Sequence, residues 1–126
     1  MGKAAFAKLI YTEDAWPLFR CRELTIIAEG RRVVCAGKDG RIEHRCGEAE
    51  WRNLEALLSA CNFPAWRKAY RRQSWDGQSW HLEIHAADGH VRESDGINAY
   101  PAEWPAFTAM CDYCEKIARP GSDEKP

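Results

Sequence analysis

Three stretches of this chain carry side chains that could do chemistry. His81-x-Glu83-x-His85 spaces two imidazoles and a carboxylate at alternate positions, which a β-strand would present together as nitrogen and oxygen donors for a metal ion. Cys111-x-x-Cys114 offers two thiols at a spacing shared by zinc ribbons and thiol–disulfide redox motifs. Trp66-Arg67-Lys68-Ala69-Tyr70-Arg71-Arg72 mixes aromatics with cations, as single-strand nucleic-acid binders do. Each also has a plainer structural account, and the elements that hold them decide between the two.

The first half of the chain reads as an antiparallel meander. Ala4–Tyr11 is one strand, and Leu24, Ile26 and Ala28 alternate along a second that ends at the Glu29-Gly30 turn. Val33–Cys35 follows, then a turn at Lys38-Asp39-Gly40, then Ile42, His44 and Cys46 on alternate positions. Asp-Gly between two β-rich runs is a hairpin signal, because the tight turn needs positive φ. From Glu48 the period becomes helical, with Trp51, Leu54, Leu57, Leu58 and Cys61 on one stripe, and Phe63-Pro64 stops the helix. Trp66 and Tyr70, four apart, predict a short second helical piece. After Asp76-Gly77 comes the clearest strand, with Trp80, Leu82, Ile84 and Ala86 facing one way and His81, Glu83, His85 and Ala87 the other. Asp88-Gly89 turns it into a weaker strand from Val91 to Asp95. The last helix carries the stripe Trp104, Phe107, Cys111, Cys114 and Ala118, with Pro105 tolerated in its first turn.

Placed on those elements, the candidates weaken. Cys111 and Cys114 fall on the apolar stripe and late in a helix, whereas a redox pair sits at a helix start, where the dipole lowers the thiol pKa. No second close Cys or His pair completes a zinc ribbon. Trp66 and Tyr70 would share a buried face, leaving the basic run as a solvated surface, and a pI near 6.4 gives no electrostatic footprint for nucleic acid. The histidine strand is the pattern of a half-solvated antiparallel strand, although His44 and His90 could add ligands if the fold brought them near. A two-residue turn at Asp88-Gly89 would set His85 opposite Arg92, and a cation there argues against a metal ion. It would also set Glu83 opposite Ser94 and turn Glu93 and Asp95 toward the core, a potential acid/base pair. A bulge or another loop length would return both to solvent, and Gly96 favours that irregularity.

Composition sets the frame. The 126 residues, 45% hydrophobic and 29% charged, suit one domain with a sizeable core. No apolar run approaches a transmembrane span, and Ala4–Tyr11 is broken by Lys8 and lacks a cleavage site, so a cytoplasmic protein is expected. The six cysteines, Cys21, Cys35, Cys46, Cys61, Cys111 and Cys114, read as buried free thiols. Residues 1–72 are net basic and the remainder net acidic, which packing into one domain would neutralise. No phosphate-binding glycine loop or nucleophile elbow is present.

Trp80-x-Leu82-x-Ile84, then Asp88-Gly89, then Gly96-x-Asn98-Ala99-Tyr100-Pro101-x-x-Trp104-x-x-Phe107, resembles a group of small uncharacterised bacterial proteins, over roughly residues 48–118. In them a Trp-x-x-x-Tyr pair precedes an Asp-Gly turn and a Trp-led strand, as Trp66, Tyr70, Asp76 and Gly77 do here. The resemblance implies an α+β fold and a bacterial source, and carries no activity, cofactor or catalytic residue.

The expectation is one α+β domain over residues 1–119 with a disordered tail at 120–126. Its antiparallel sheet has about five or six strands, an N-terminal meander plus a C-terminal hairpin, with two main helices packed on one face. The expected function is a non-enzymatic protein-binding or accessory module with no cofactor and no membrane partner, recognising its partner through Trp80, Asn98, Tyr100 and Trp104. The alternatives are a metal- or thiol-dependent enzyme using His81, Glu83 and His85 or Cys111 and Cys114, and nucleic-acid binding through Arg67–Arg72.

Overall fold

The computed structural model describes residues 6–16, 20–37, 40–71 and 77–119. Among the described residues seven strands and two helices follow one another: β1 (Phe6–Trp16), β2 (Arg20–Ile27), β3 (Arg32–Gly37), β4 (Gly40–Arg45), α1 (Glu48–Ala60), β5 (Ala69–Arg71), β6 (Gly77–Ala86), β7 (Val91–Ile97) and α2 (Trp104–Ala118). The strands form one sheet in the order β4-β3-β2-β1-β6-β7-β5. All neighbours are antiparallel except β5 and β7. The N-terminal meander thus ends at β1, and β1 is also the seam onto which the β6–β7 hairpin docks.

The α+β class and both helices match the sequence reading; the strand count does not. The sheet has seven strands rather than five or six, and the addition is β5, where a helical piece was expected. Trp66 and Tyr70 are both buried as expected, but through extended chain after a single 3-10 turn at Phe63–Ala65. Tyr70 lies level with Gly96 in the parallel pairing, so its ring still reaches the core side of the sheet. Residues 38 and 39 of the expected Asp-Gly hairpin and the tail at 120–126 lie outside the described residues.

Period-2 alternation sorts the sheet into two unlike faces. Leu9, Tyr11, Leu24, Ile26, Val33, Cys35, Trp80 and Leu82 point inward and meet Trp51, Leu54, Phe107, Met110, Cys111 and Cys114 of the helices in one core. Both helices cover this face. The opposite face has no helix on it among the described residues, and Ile10, Thr12, Thr25, Ile27, His81, Glu83 and His85 remain half-buried there. Among the described residues no helix is long and apolar enough to cross a membrane.

Candidate functional site

On the uncovered face, the site is built by the turn between β6 and β7. Ala86 and His90 close a three-residue loop, Ala87-Asp88-Gly89, through the Ala86 N–H to His90 carbonyl bond at 2.8 Å. Gly89 holds φ at 99°, as the left-handed position of such a loop requires. A third loop residue slips the pairing by one relative to a two-residue turn, and a one-residue slip moves every side chain to the other face. Glu83 therefore opposes Glu93, His81 opposes Asp95 and His85 opposes Val91, while Arg92 lies across from Ile84 and Ser94 from Leu82. This corrects the two-residue register. Glu93 and Asp95 leave the core side, which removes the proposed buried acid/base pair, and they join the histidines. Arg92 leaves the histidine face, but Lys8 of β1 lies opposite His85 and Arg71 is bound to Asp95, so two cations flank the patch on either side of His81, Glu83 and Glu93. The irregularity that achieves this sits in the loop rather than at Gly96.

The result is a contiguous patch of two imidazoles and three carboxylates. His85 Nε2 lies 3.0 Å from Glu83 Oε1, and His81 Nε2 lies 3.6 Å from Glu83 Oε2. His81 turns its other ring nitrogen, Nδ1, toward Asp95 Oδ2 at 3.9 Å, and Arg71 of β5 fixes Asp95 through Nη1 at 2.8 Å. The hydrogen bond from His85, and then the approach of His81, hold the Glu83 carboxyl below its ordinary range. His81, Glu83 and Glu93 each bring a donor atom within 4.8 Å of the others. His44 and His90 do not contribute. His44 is on β4 at the far edge of the sheet, bonded to Glu50 at 2.8 Å, and His90 is held by Asp88 in the loop.

Of the four residues expected to recognise a partner, Trp80 is enclosed in the core, Asn98 and Trp104 are half-buried and Tyr100 is exposed. Trp80 is 2% exposed, and its indole N–H donates to the Ala99 carbonyl at 2.9 Å. Asn98, in the left-handed region at φ 57°, accepts from the Gln78 N–H and donates its own N–H to the Gln78 carbonyl, so it locks the end of β7 onto the start of β6. Trp104 stacks between Tyr100 and Trp80, with ring centroids 4.8 and 5.0 Å away. Tyr100 alone presents much surface, and its hydroxyl donates to Gln78 Oε1 at 2.7 Å.

The thiols are buried as the helical stripe predicted. Cys35, Cys46, Cys61, Cys111 and Cys114 are free and buried; the side chain of Cys21 lies outside the described residues. Burial pushes the Cys61 thiol up to about 12 and raises Cys111 and Cys114 as well, the reverse of what a nucleophilic or redox thiol needs. The basic run is split. Arg67 stacks on the Tyr70 ring at 4.7 Å, Arg71 is paired with Asp95, and Arg72 lies outside the described residues.

Sequence reasoning missed three groupings. Glu93 and Asp95 were displaced by the register, although their alternate spacing mirrors that of His81 and Glu83. His44, Cys46 and Glu50 converge where β4 hands over to α1; there Glu50 accepts the Gly47 N–H at the helix start as well as bonding His44. The buried Glu13 accepts a 2.6 Å hydrogen bond from Tyr11, with Arg22 at 3.8 Å bridging onward to Glu115 of α2. No local motif marks that last pairing, because Arg22 and Glu115 are brought together only by the packing of α2 on β2.

A larger opening lies at the same end of the sheet as the β6–β7 loop, whose Ala87 helps to line it. A solvent-open cavity of about 750 Å³ runs from the uncovered face around to α1. Phe6, Ala28 and Trp51 form its apolar floor, and Lys8, Glu29, Arg32 and Glu55 its rim. No protein-family model matches the chain. No curated protein shows significant similarity to it.

Proposed function

We propose that the protein acts by binding another protein, without catalysis, and that the binding surface is the cavity at the end of the sheet together with the adjoining uncovered face. The observation that carries this is the make-up of that cavity. An apolar floor ringed by charges is how a pocket accepts an anchoring side chain and orients what surrounds it. Its volume is in the range that holds a large side chain or a short peptide segment. The rim has two cations and two anions, so the apolar anchor rather than net charge would select the partner. Ile27 and Lys8 continue the surface onto the sheet. No Ser, Thr, Cys or His lines the cavity among the described residues, and the buried thiols, with their raised pKa values, do not favour thiol chemistry.

Selection from a displayed peptide library, followed by amide-shift mapping, tests this reading. Selected peptides should carry a large apolar residue and shift the Ile27, Ala28 and Trp51 signals. Ile27→Glu should weaken them by roughly tenfold, the effect of losing about 1.4 kcal/mol. Failure to select any peptide, or shifts centred elsewhere, would overturn it.

A further inference from the structure

We infer that the outer face of β6 and β7 is a binding site for a divalent transition-metal ion, ligated by His81 Nε2, Glu83 and Glu93. The inference does not rest on the cavity; it rests on the donor set, its orientation and its charge.

One imidazole nitrogen and two carboxylates suit borderline ions such as zinc, cobalt or manganese. Their donor atoms already lie within 4.8 Å of one another on two hydrogen-bonded strands. A tetrahedral site with bonds of ~2.1 Å needs donors roughly 3.4 Å apart, so side-chain rotation closes the gap without backbone movement. The histidine and carboxylates are half-exposed or exposed, which leaves a path for the ion.

The groups behind the ligands point the same way. Metal-binding histidines hold their second ring nitrogen with a carboxylate, which fixes the ring and raises its basicity. His81 is poised for that arrangement: Nδ1 faces Asp95 Oδ2 at 3.9 Å, a small ring rotation short of a hydrogen bond, and Asp95 is fixed in turn by Arg71. His85 supports Glu83 from the other side at 3.0 Å. The ring nitrogen left facing Glu83 is Nε2, the one the site would use.

Charge supplies the third argument. Glu83 and Glu93 are direct cross-strand partners, and like charges placed opposite one another destabilise a sheet. Among the described residues, Glu93 has no hydrogen bond and no ion pair to offset this. A cation between the two carboxylates removes the repulsion. The His44, Cys46 and Glu50 grouping is a weaker rival, because Glu50 is already engaged by both His44 and the Gly47 N–H, and burial raises the Cys46 thiol.

The test is titration of the chelator-treated full chain with cobalt(II) at neutral pH, read by visible absorption and by paramagnetic broadening of amide signals. One ion should bind saturably without a sulfur-to-cobalt charge-transfer band, broadening residues 81, 83 and 93 first. His81→Ala and Glu93→Gln should each weaken binding roughly tenfold or more, and His85→Ala by less. Cys46→Ser and Glu50→Gln should leave it unchanged. Absence of saturable binding, a thiolate band, or broadening centred on residues 44–50 would overturn the inference. The broadening pattern is read on the unaltered chain, so the result stands even if a variant folds poorly.

Discussion

The two faces of β6 are made by the same ten residues and have opposite fates. Inward, Trp80 and Leu82 are almost wholly enclosed, and Trp80 alone meets Trp66, Tyr70 and Trp104 at ring-centroid distances of 5.0 to 5.8 Å. Outward, among the described residues, His81, Glu83 and His85 pair with one another and with Asp95 across the strand, and stay partly open to solvent. The inner face binds the fold together so completely that its polar atoms are already used: the Trp80 N–H, the Asn98 amide and the Tyr100 hydroxyl all have internal partners. The outer face leaves polar groups in excess of what the fold consumes. Aromatic residues drew attention as recognition groups in the sequence; the titratable side chains of β6 lie on the other side of the strand.

That contrast can be broken most severely from inside. Phe107 has 0% exposure and touches the rings of Tyr11, Phe63, Trp66 and Trp104. Phe107→Ala should cost about 4 kcal/mol in urea unfolding, with the outer face unaltered in any molecules still folded. Next comes Gly96. A Cβ there would lie 2.6 Å from the Ala99 carbonyl oxygen and closer still to the Trp80 indole nitrogen, with backbone on one side and a locked ring on the other. Gly96→Ala should cost about 2 kcal/mol and break the Trp80 to Ala99 hydrogen bond, which a shifted indole N–H resonance would report.

The smallest effect is on the outer face and concerns pH. Hydrogen bonding from His85 depresses the Glu83 carboxyl in the folded protein, so the ionised form contributes stability above its unfolded pKa. That contribution is lost as pH falls through the folded value, below the ordinary 4.5. His85→Ala should bring the Glu83 titration back toward 4.5, followed by carboxyl carbon shifts, and should reduce the acid loss of stability. No change in the Glu83 midpoint would show that the histidine is not its partner in solution.

Those outcomes also mark what the sequence made legible. The start of α1 at Glu48, the apolar stripes of both helices and the inward set on β6 followed from periodicity, since burial of one face enforces it. Trp66 and Tyr70 were legible as core but not as the end of a turn and a short strand, because a spacing of four is also that of one helix face. His81, Glu83 and His85 were legible as a shared face; Glu93 and Asp95 were not. Asp88-Gly89 is compatible with loops of two or three residues, and only the loop length decides which strand face the second half presents.

The position of β1 has a consequence for how the chain is made. Its Lys8 pairs with Ile27 on one side and with His85 on the other. During synthesis the meander can form as soon as β4 leaves the ribosome, yet it would then end in a bare strand edge along β1. That edge stays open until β6 has been translated, and an open edge is a template for pairing with other nascent chains. Closure of the long β1–β6 connection is thus the expected slow step of folding, and the interval before it is when the chain is most exposed to misassociation.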